Sequence, residues 1–388
     1  MGESEGSEEL DRATRRQTRK SRADEHASLD ELHERLHALT PYPIGTGAII
    51  AANVVVFGAM VASGVHPVLP TPQSLIEWGA DYGPRISAGQ WWRLLTSMFL
   101  HFGVVHIAMN MWGLWSVGRF IERALGTTSY LVVYLLSGWA GSVVSAVTKP
   151  MAVSAGASGA IFGVFGVMLA FVLRPRQTVP MAALRPLRGS TFSFLAVNLV
   201  LGITTPAIDL AAHLGGLVCG FVLGALFGHE LSPEARRSAR RATALLTAAT
   251  ILVLGVATMT LRERRLPDVL AILTQFGPTE TRVVAVYNDA REKVLRGELS
   301  DQEFADIIER DVLGPWRDLR IDPASARYVP RELREVFRDL EDHSEAREEE
   351  WEQIVEKLRS GDSDALDPAS EGLNEVDEMI EKMNERGK

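Results

Sequence analysis

A single cysteine, Cys219, stands in 388 residues, so no disulfide closes within the chain and a cystine-stapled fold is excluded. The redox compartment is left open by the same fact. A basic face is missing as well. From Arg262 onward 33 acidic residues outnumber 20 basic ones, so the tail is 13 net negative and the remainder 4 net positive, for a total of −9. Nucleic-acid binding, which needs a basic stripe, has nothing to stand on. The first 40 residues hold many acids and no apolar run, which argues against a signal peptide and against an acid-poor transit peptide. Charge itself is scarce from 43 to 261, whereas 1–42 and 262–388 are rich in it.

A bilayer core about 30 Å thick is crossed by roughly 20 apolar residues in a helix. Seven blocks of that kind are expected to span, at 43–64, 104–121, 127–147, 156–173, 188–205, 208–228 and 242–261. The fifth is the shortest and carries Asn198. The connection 65–103 contains the amphipathic "GQWWRLLTSMFLHFG", whose tryptophans suit the depth where an aromatic ring is half in lipid and half in water. Basic residues in short loops set orientation. Arg12, Arg15, Arg16, Arg19, Lys20 and Arg22 precede the first span. Arg174, Arg176, Arg185 and Arg188 join the fourth to the fifth, and Arg236, Arg237, Arg240 and Arg241 the sixth to the seventh. All three groups fall on one side if the amino terminus is cytoplasmic; "RERR" at 262–265 runs mildly against the rule. The expected fold class is all-α, a polytopic membrane protein. It comprises a charged cytoplasmic arm (1–42), a six-helix core (43–228), a basic cytoplasmic loop (229–241), a seventh transmembrane helix (242–261) and an acidic, helical, soluble tail (262–388).

In the tail, "SDQE" at 300–303 reads as a capping box ahead of "FADIIERDVL". Pro330 suits a first helical position, and Leu333, Phe337, Leu340, Ser344, Arg347, Trp351, Ile354 and Leu358 then alternate by four and three. Ser344 and Arg347 make the seam polar in its middle, so a helical hairpin, a weak dimer and a lone helix all remain open.

Polar groups at membrane depth cost free energy, about 2.5–3.5 kcal/mol for a charge at mid-span, so each needs a partner or a task. Those within the span region are His101, His106, Asn110, Ser158, Asp209 and His213. His106 and Asn110 are four apart and share a helix face. On the expected topology spans two, four and six start on the extracytoplasmic side, which brings His106, Asn110, Ser158 and His213 to similar depth from three helices. Gly216, Gly220 and Gly224 follow His213 at intervals of four, and Gly159 and Gly163 follow Ser158; stripes of this kind let helix backbones approach closely. If those two helices meet, imidazole can take the proton of an otherwise weak serine nucleophile. Asn110, His106 and the Ser158 N–H are then free to serve a developing oxyanion. Each residue alone has a plainer reading: Ser158 and its glycines as packing, a histidine as a structural donor, Asn110 as interhelical glue. Asp209, four before His213, either orients it or starts the helix. His101 reads as interfacial and Arg93 as snorkelling to headgroups.

Taken together these residues resemble the rhomboid family of intramembrane serine proteases over roughly 43–228. "WWR" at 91–93 is similar to the family's Trp-Arg element, "HIAMN" at 106–110 to its His-x-x-x-Asn, and "ERALG" at 122–126 to the turn ending its second helix. "GASG" at 156–159 resembles the nucleophile motif and "AHLGG" the histidine motif of the sixth helix. The resemblance implies a six-helix bundle with one added helix and a water-filled cavity open to the extracytoplasmic side. It implies Ser158 as nucleophile, His213 as general base without an acidic third member, and His106, Asn110 and the Ser158 amide as oxyanion hole. Gly156 would shape the preceding loop, Gly216 would belong to the close helix contact, and Phe162 stands where a tyrosine often stacks on the histidine. The implied activity is endopeptidase cleavage of transmembrane protein substrates in the lipid bilayer of the cell (inner) membrane, with no cofactor and no metal. The alternative is a catalytically inactive relative that binds membrane partners.

Overall fold

The computed structural model describes residues 24–25, 27–173, 181–205, 208–227, 240–264, 266, 268–319, 329 and 334–361. Among them the chain is helical, with no strand beyond one antiparallel bridge, Asp81 to Ser154. Arg12, Arg15, Arg16, Arg19, Lys20, Arg22, Arg174, Arg176, Arg236, Arg237, Pro330 and Leu333, used above for orientation and for the tail seam, lie outside the described residues. The chain divides into two units, Met1–Arg264 and Arg265–Lys388.

In the first unit, α1 (27–39) leads into α2 (Ile44–Ala62), followed by short α3 (Pro72–Trp78), α4 (Gly83–Ser87) and α5 (Arg93–Thr96). Then come α6 (Val104–Leu125), α7 (Thr127–Thr148), α8 (Ser158–Leu173), α9 (Met181–Thr204), α10 (Leu210–Phe227) and α11 (Arg240–Arg262). Four helices are long and apolar enough to cross a membrane: α2, α7, Ala182–Thr204 of α9 and Ala244–Arg262 of α11. The stretch Arg93–Phe99 with α6 makes a fifth, bent by 92°. The chain is thus a multi-pass integral membrane protein. The α8 and α10 segments are shorter. At 1.5 Å per residue the 16 residues of α8 reach about 24 Å, less than the hydrocarbon thickness. Yet α8 is the most enclosed helix, with nearly every residue buried, so it occupies the centre of the bundle.

One end of this unit is held by a charge the sequence reading left among the loops. Glu122, fully buried near the end of α6, accepts the N–H of Gly45 (2.7 Å) and of Thr46 (2.8 Å). It also accepts the hydroxyls of Thr46 (2.8 Å) and Thr127 (2.7 Å). A carboxylate thereby satisfies the orphan donors that open α2, where the helix dipole favours negative charge. At this same end Thr40 donates to the Arg123 carbonyl. Arg188 reaches back to the Val172 carbonyl (2.8 Å) at the close of α8. Arg185 and Arg188, expected in a loop, lie instead on the first turns of α9, which starts at Met181 rather than 188. Their long side chains bond outward, Arg185 to Glu25 at 3.5 Å, while Ala183 and Leu184 fill the core. At the opposite end stand the starts of α6, α8 and α10. The last turn of α11 is also there, since Arg264 donates to the Val147 carbonyl at 3.2 Å, and Trp139 of α7 donates to Thr258 of α11 at 3.2 Å.

The second unit contains α12 (Val269–Leu295), α13 (Asp301–Ile307), a π-helical turn (Ile308–Leu313), α14 (Gly314–Arg317) and α15 (Arg334–Ser360). Ser300 and Glu303 form the reciprocal capping box of α13. Phe337, Leu340, Ser344, Arg347, Trp351, Ile354 and Leu358 are all buried. The polar middle of this seam is used within the unit. The Trp316 indole donates to the Ser344 carbonyl at 3.0 Å, Arg347 pairs with Glu350 at 3.1 Å, and Trp316 meets Trp351 edge-on at 5.2 Å. The seam therefore packs on α14 of the same chain and does not stand as a lone helix.

Candidate active site

Helices α8 and α10 touch backbone to backbone. A Cβ placed on Gly216 would overlap the Gly159 carbonyl, one on Gly220 the Gly163 carbonyl, and one on Gly224 would lie 2.7 Å from the Val167 Cα. The three contacts advance together along both chains, so the helices run parallel and in step. Ser158 opens α8, and His213 stands one turn before Gly216. Both therefore face the same end of the pair, and both line one cavity of about 1320 Å³ together with His106, Asn110, Gly156 and Phe162. Phe162 stacks on His213, ring centroids 4.1 Å apart and 13° from parallel, which holds the imidazole's plane. His213 is buried and its Nδ1 has no hydrogen-bond partner. The Ser158 hydroxyl and His213 share the cavity without a direct hydrogen bond, as catalytic pairs often do before substrate tightens them.

His106 is oriented by its own helix start. Its Nδ1 accepts the Phe102 N–H at 3.3 Å, so the neutral ring carries its hydrogen on Nε2. A side chain at Gly156 would fall between that ring, 2.8 Å from Cε1, and the Ser158 hydroxyl at 3.8 Å. Gly156 also has φ +133, so only glycine fits there. Asn110 donates one amide hydrogen to the His106 carbonyl at 2.9 Å and keeps the other. Ser158, as the first residue of α8, presents one of the orphan N–H groups of the helix. Donors of three different origins thus line the cavity that the Ser158 hydroxyl lines.

The loop ahead of Ser158 is pinned by backbone bonds. Gly156 donates to Ser97 O (2.9 Å), Asp81 and Ser154 exchange two bonds of 2.9 Å, and Gly83 donates to Pro150 O (3.0 Å). Arg93 supports this from beneath. It is buried, not snorkelling, and donates to the carbonyls of Ile76 (2.5 Å) and Ala80 (3.2 Å) and to Gln90 (2.7 Å), its guanidinium lying 4.8 Å from the Trp92 ring centre. Arg93 Nη1 bridges these two carbonyls at the end of α3, which a headgroup-seeking arginine could not do. His101 likewise is fully buried rather than interfacial, edge-on to His106 at 5.2 Å, because the bend before α6 turns it inward. Asp209 does not bond the His213 ring. It caps α10, accepting the Ala212 N–H at 3.1 Å, and takes the Ser145 hydroxyl at 2.5 Å.

One buried acid escaped the sequence reading: Asp81, in a loop, carries no signal, whereas Glu122 stands out there only as part of the turn at 122–126 and not as a buried carboxylate. Burial, then the charge of Asp209, pushes the Asp81 carboxyl well above the ordinary carboxylate range, against the lowering influence of Arg93. Among the described residues no group of three or more His, Cys, Asp or Glu is placed to hold a metal.

Known proteins agree with this architecture. A family model described as the Rhomboid domain matches residues 88–230. Rhomboid protease GluP of Bacillus subtilis (strain 168) is 36% identical over 214 residues, 55% of this chain and 39% of that protein. RHOMBOID-like protein 6, mitochondrial, of Arabidopsis thaliana is 37% identical over 156 residues, 40% of this chain and 50% of that protein. The rhomboid relative YdcA of the same Bacillus strain is 36% identical over 157 residues, 39% of this chain and 77% of that protein. The matched stretch spans half or less of the first two relatives and more than three quarters of the third, and on that match the chain belongs to the rhomboid family.

Proposed function

We propose that this protein is an intramembrane serine endopeptidase that cleaves transmembrane or membrane-proximal segments of other proteins. Ser158 attacks the carbonyl, His213 takes its proton and later returns one to the leaving amine, and water resolves the acyl-enzyme. His106 Nε2–H, the second amide hydrogen of Asn110 and the Ser158 N–H stabilise the oxyanion. The observation that carries the reading is the shared cavity: glycine contacts draw α8 and α10 together so tightly that a hydroxyl and an imidazole from separate helices meet one space, with donors from α6 beside them. Kinship with a named rhomboid protease supports the same reading. A helical peptide bond is shielded by its own hydrogen bonds, so substrates that unwind easily, through small or helix-weakening residues, are preferred. We place the protein in the cell (inner) membrane with its amino terminus cytoplasmic, and the active-site end and the tail on the other side.

The test is covalent labelling of the purified protein by a fluorophosphonate. Wild type is expected to label, and Ser158→Ala and His213→Ala to lose labelling by at least about 1,000-fold. A wild type that neither labels nor cleaves any of a panel of single-span proteins in liposomes would assign the chain to the inactive, partner-binding class instead.

A further inference from the structure

Resting on the serine–histidine reading, we propose that Asp209 is a positioning residue for His213, a carboxylate that fixes the turn carrying the imidazole and lends it negative charge as it becomes imidazolium. No hydrogen bond to the ring is involved, so this is not a triad.

The geometry is local and complete. Asp209 Oδ1 accepts the Ala212 N–H at 3.1 Å, Oδ2 accepts the Ser145 hydroxyl at 2.5 Å, and the Asp209 carbonyl accepts the His213 N–H at 3.1 Å. The residue thus ties the first turn of α10 to the last turns of α7, and that turn sets where His213 stands. Asp209 also lines the cavity that His213 lines, so its charge acts across the same partly wet space. The groups facing this region from the other elements are His106 on α6, Asp81 in the α3–α4 connection and Lys149 after α7. Asp81 is buried and held toward its neutral form, which leaves Asp209 as the carboxylate that can lend charge to this turn. When Ser158 loses its proton to His213, a positive ring appears beside a carboxylate already fixed by two donors, an arrangement that needs no reorganisation during reaction.

Charge and cap separate by substitution. Asparagine caps helices as well as aspartate does, so Asp209→Asn keeps the turn and removes the charge, whereas Asp209→Glu keeps the charge and lengthens the cap. The probe is the rate of fluorophosphonate labelling against pH, with thermal melting to verify folding. In Asp209→Asn the acidic limb is expected to move to lower pH by roughly one unit, the effect of a unit charge several Å away in partly solvated protein, and the plateau rate to fall about tenfold as the base weakens. Asp209→Glu should keep its midpoint near that of wild type. If Asp209→Asn lowers the rate at every pH with an unmoved midpoint, or matches wild type throughout, the proposal is overturned. A wild type that does not label at all refutes the protease reading itself, a distinct outcome.

Discussion

At the scale of single residues, space and charge decide separately what each position tolerates. Gly156 is set by space: with φ +133 and a would-be Cβ 2.8 Å from the His106 ring, Gly156→Ala must displace either the loop or the ring. Labelling of Ser158 is expected to fall about 100-fold, the scale of a 1 Å misplacement, with little change in melting temperature; an alanine variant as reactive as wild type would refute the steric account. Asp81 is set by charge. Its carboxyl, one oxygen of which has no partner, holds a proton more tightly folded than unfolded. Its contribution to stability is therefore greatest at low pH and declines as pH rises from the unfolded carboxylate value through the folded one. Asp81→Asn removes that decline. The variant's gain in melting temperature should grow as pH rises above the ordinary carboxylate range, and a gain independent of pH would contradict it.

At the scale of elements, the bundle is built on contacts that admit no side chain. A valine at Gly220 would have to part α10 from the Gly163 carbonyl of α8. Overpacking of this kind costs about 1–3 kcal/mol, and because the proposed nucleophile and base both ride on these helices, labelling should disappear with it. Gly58 on α2, where a Cβ meets nothing within 4 Å, is the control and should accept valine silently; a stable, reactive Gly220→Val would show that α8 and α10 are not held by this seam. In the second unit Trp316 has the corresponding role, fully buried against Phe276, His343 and Trp351. Trp316→Ala is expected to cost about 3–5 kcal/mol, read as loss of a cooperative unfolding transition for that unit in chemical denaturation.

At the scale of the whole molecule, the two ends of the membrane unit are chemically distinct. The start of α2 and the close of α6 and α8 share the end held by Glu122 and Arg188, while the starts of α6, α8 and α10 and the close of α11 share the end at which Ser158 and His213 stand. Thr40, ahead of α2, and the close of α11 therefore lie at opposite ends of this unit. With Cys219 replaced by alanine, a membrane-impermeant thiol reagent applied to sealed vesicles should reach a cysteine at Ser28 or one at Ser360, never both; modification of both would break the topology. The acidic tail is expected to recruit or exclude substrates. Deleting 266–388 should leave fluorophosphonate labelling intact and change cleavage of full-length substrates, and unchanged cleavage would remove that role.

Much was legible in the chain itself because the bilayer restricts the choices. Uncharged blocks of about 20 residues have to be helices, small residues at intervals of four mark where helices meet, and the few polar groups at depth stand out against their surroundings. Those signals are local, and they sufficed for the helical membrane class; the residues they also singled out, Ser158, His213, His106 and Asn110, line one cavity. The tertiary structure decided what depends on a partner far along the chain. It placed Arg185 and Arg188 on α9, because the carbonyl that Arg188 satisfies belongs to α8. It buried Arg93 and His101, because α3 and α6 enclose them. It assigned Asp209 to Ala212 and Ser145, and it turned the polar seam of α15 inward onto Trp316. A side chain's hydrogen-bonding capacity is written in its own chemistry, but which group satisfies it is settled only when the chain has folded back on itself.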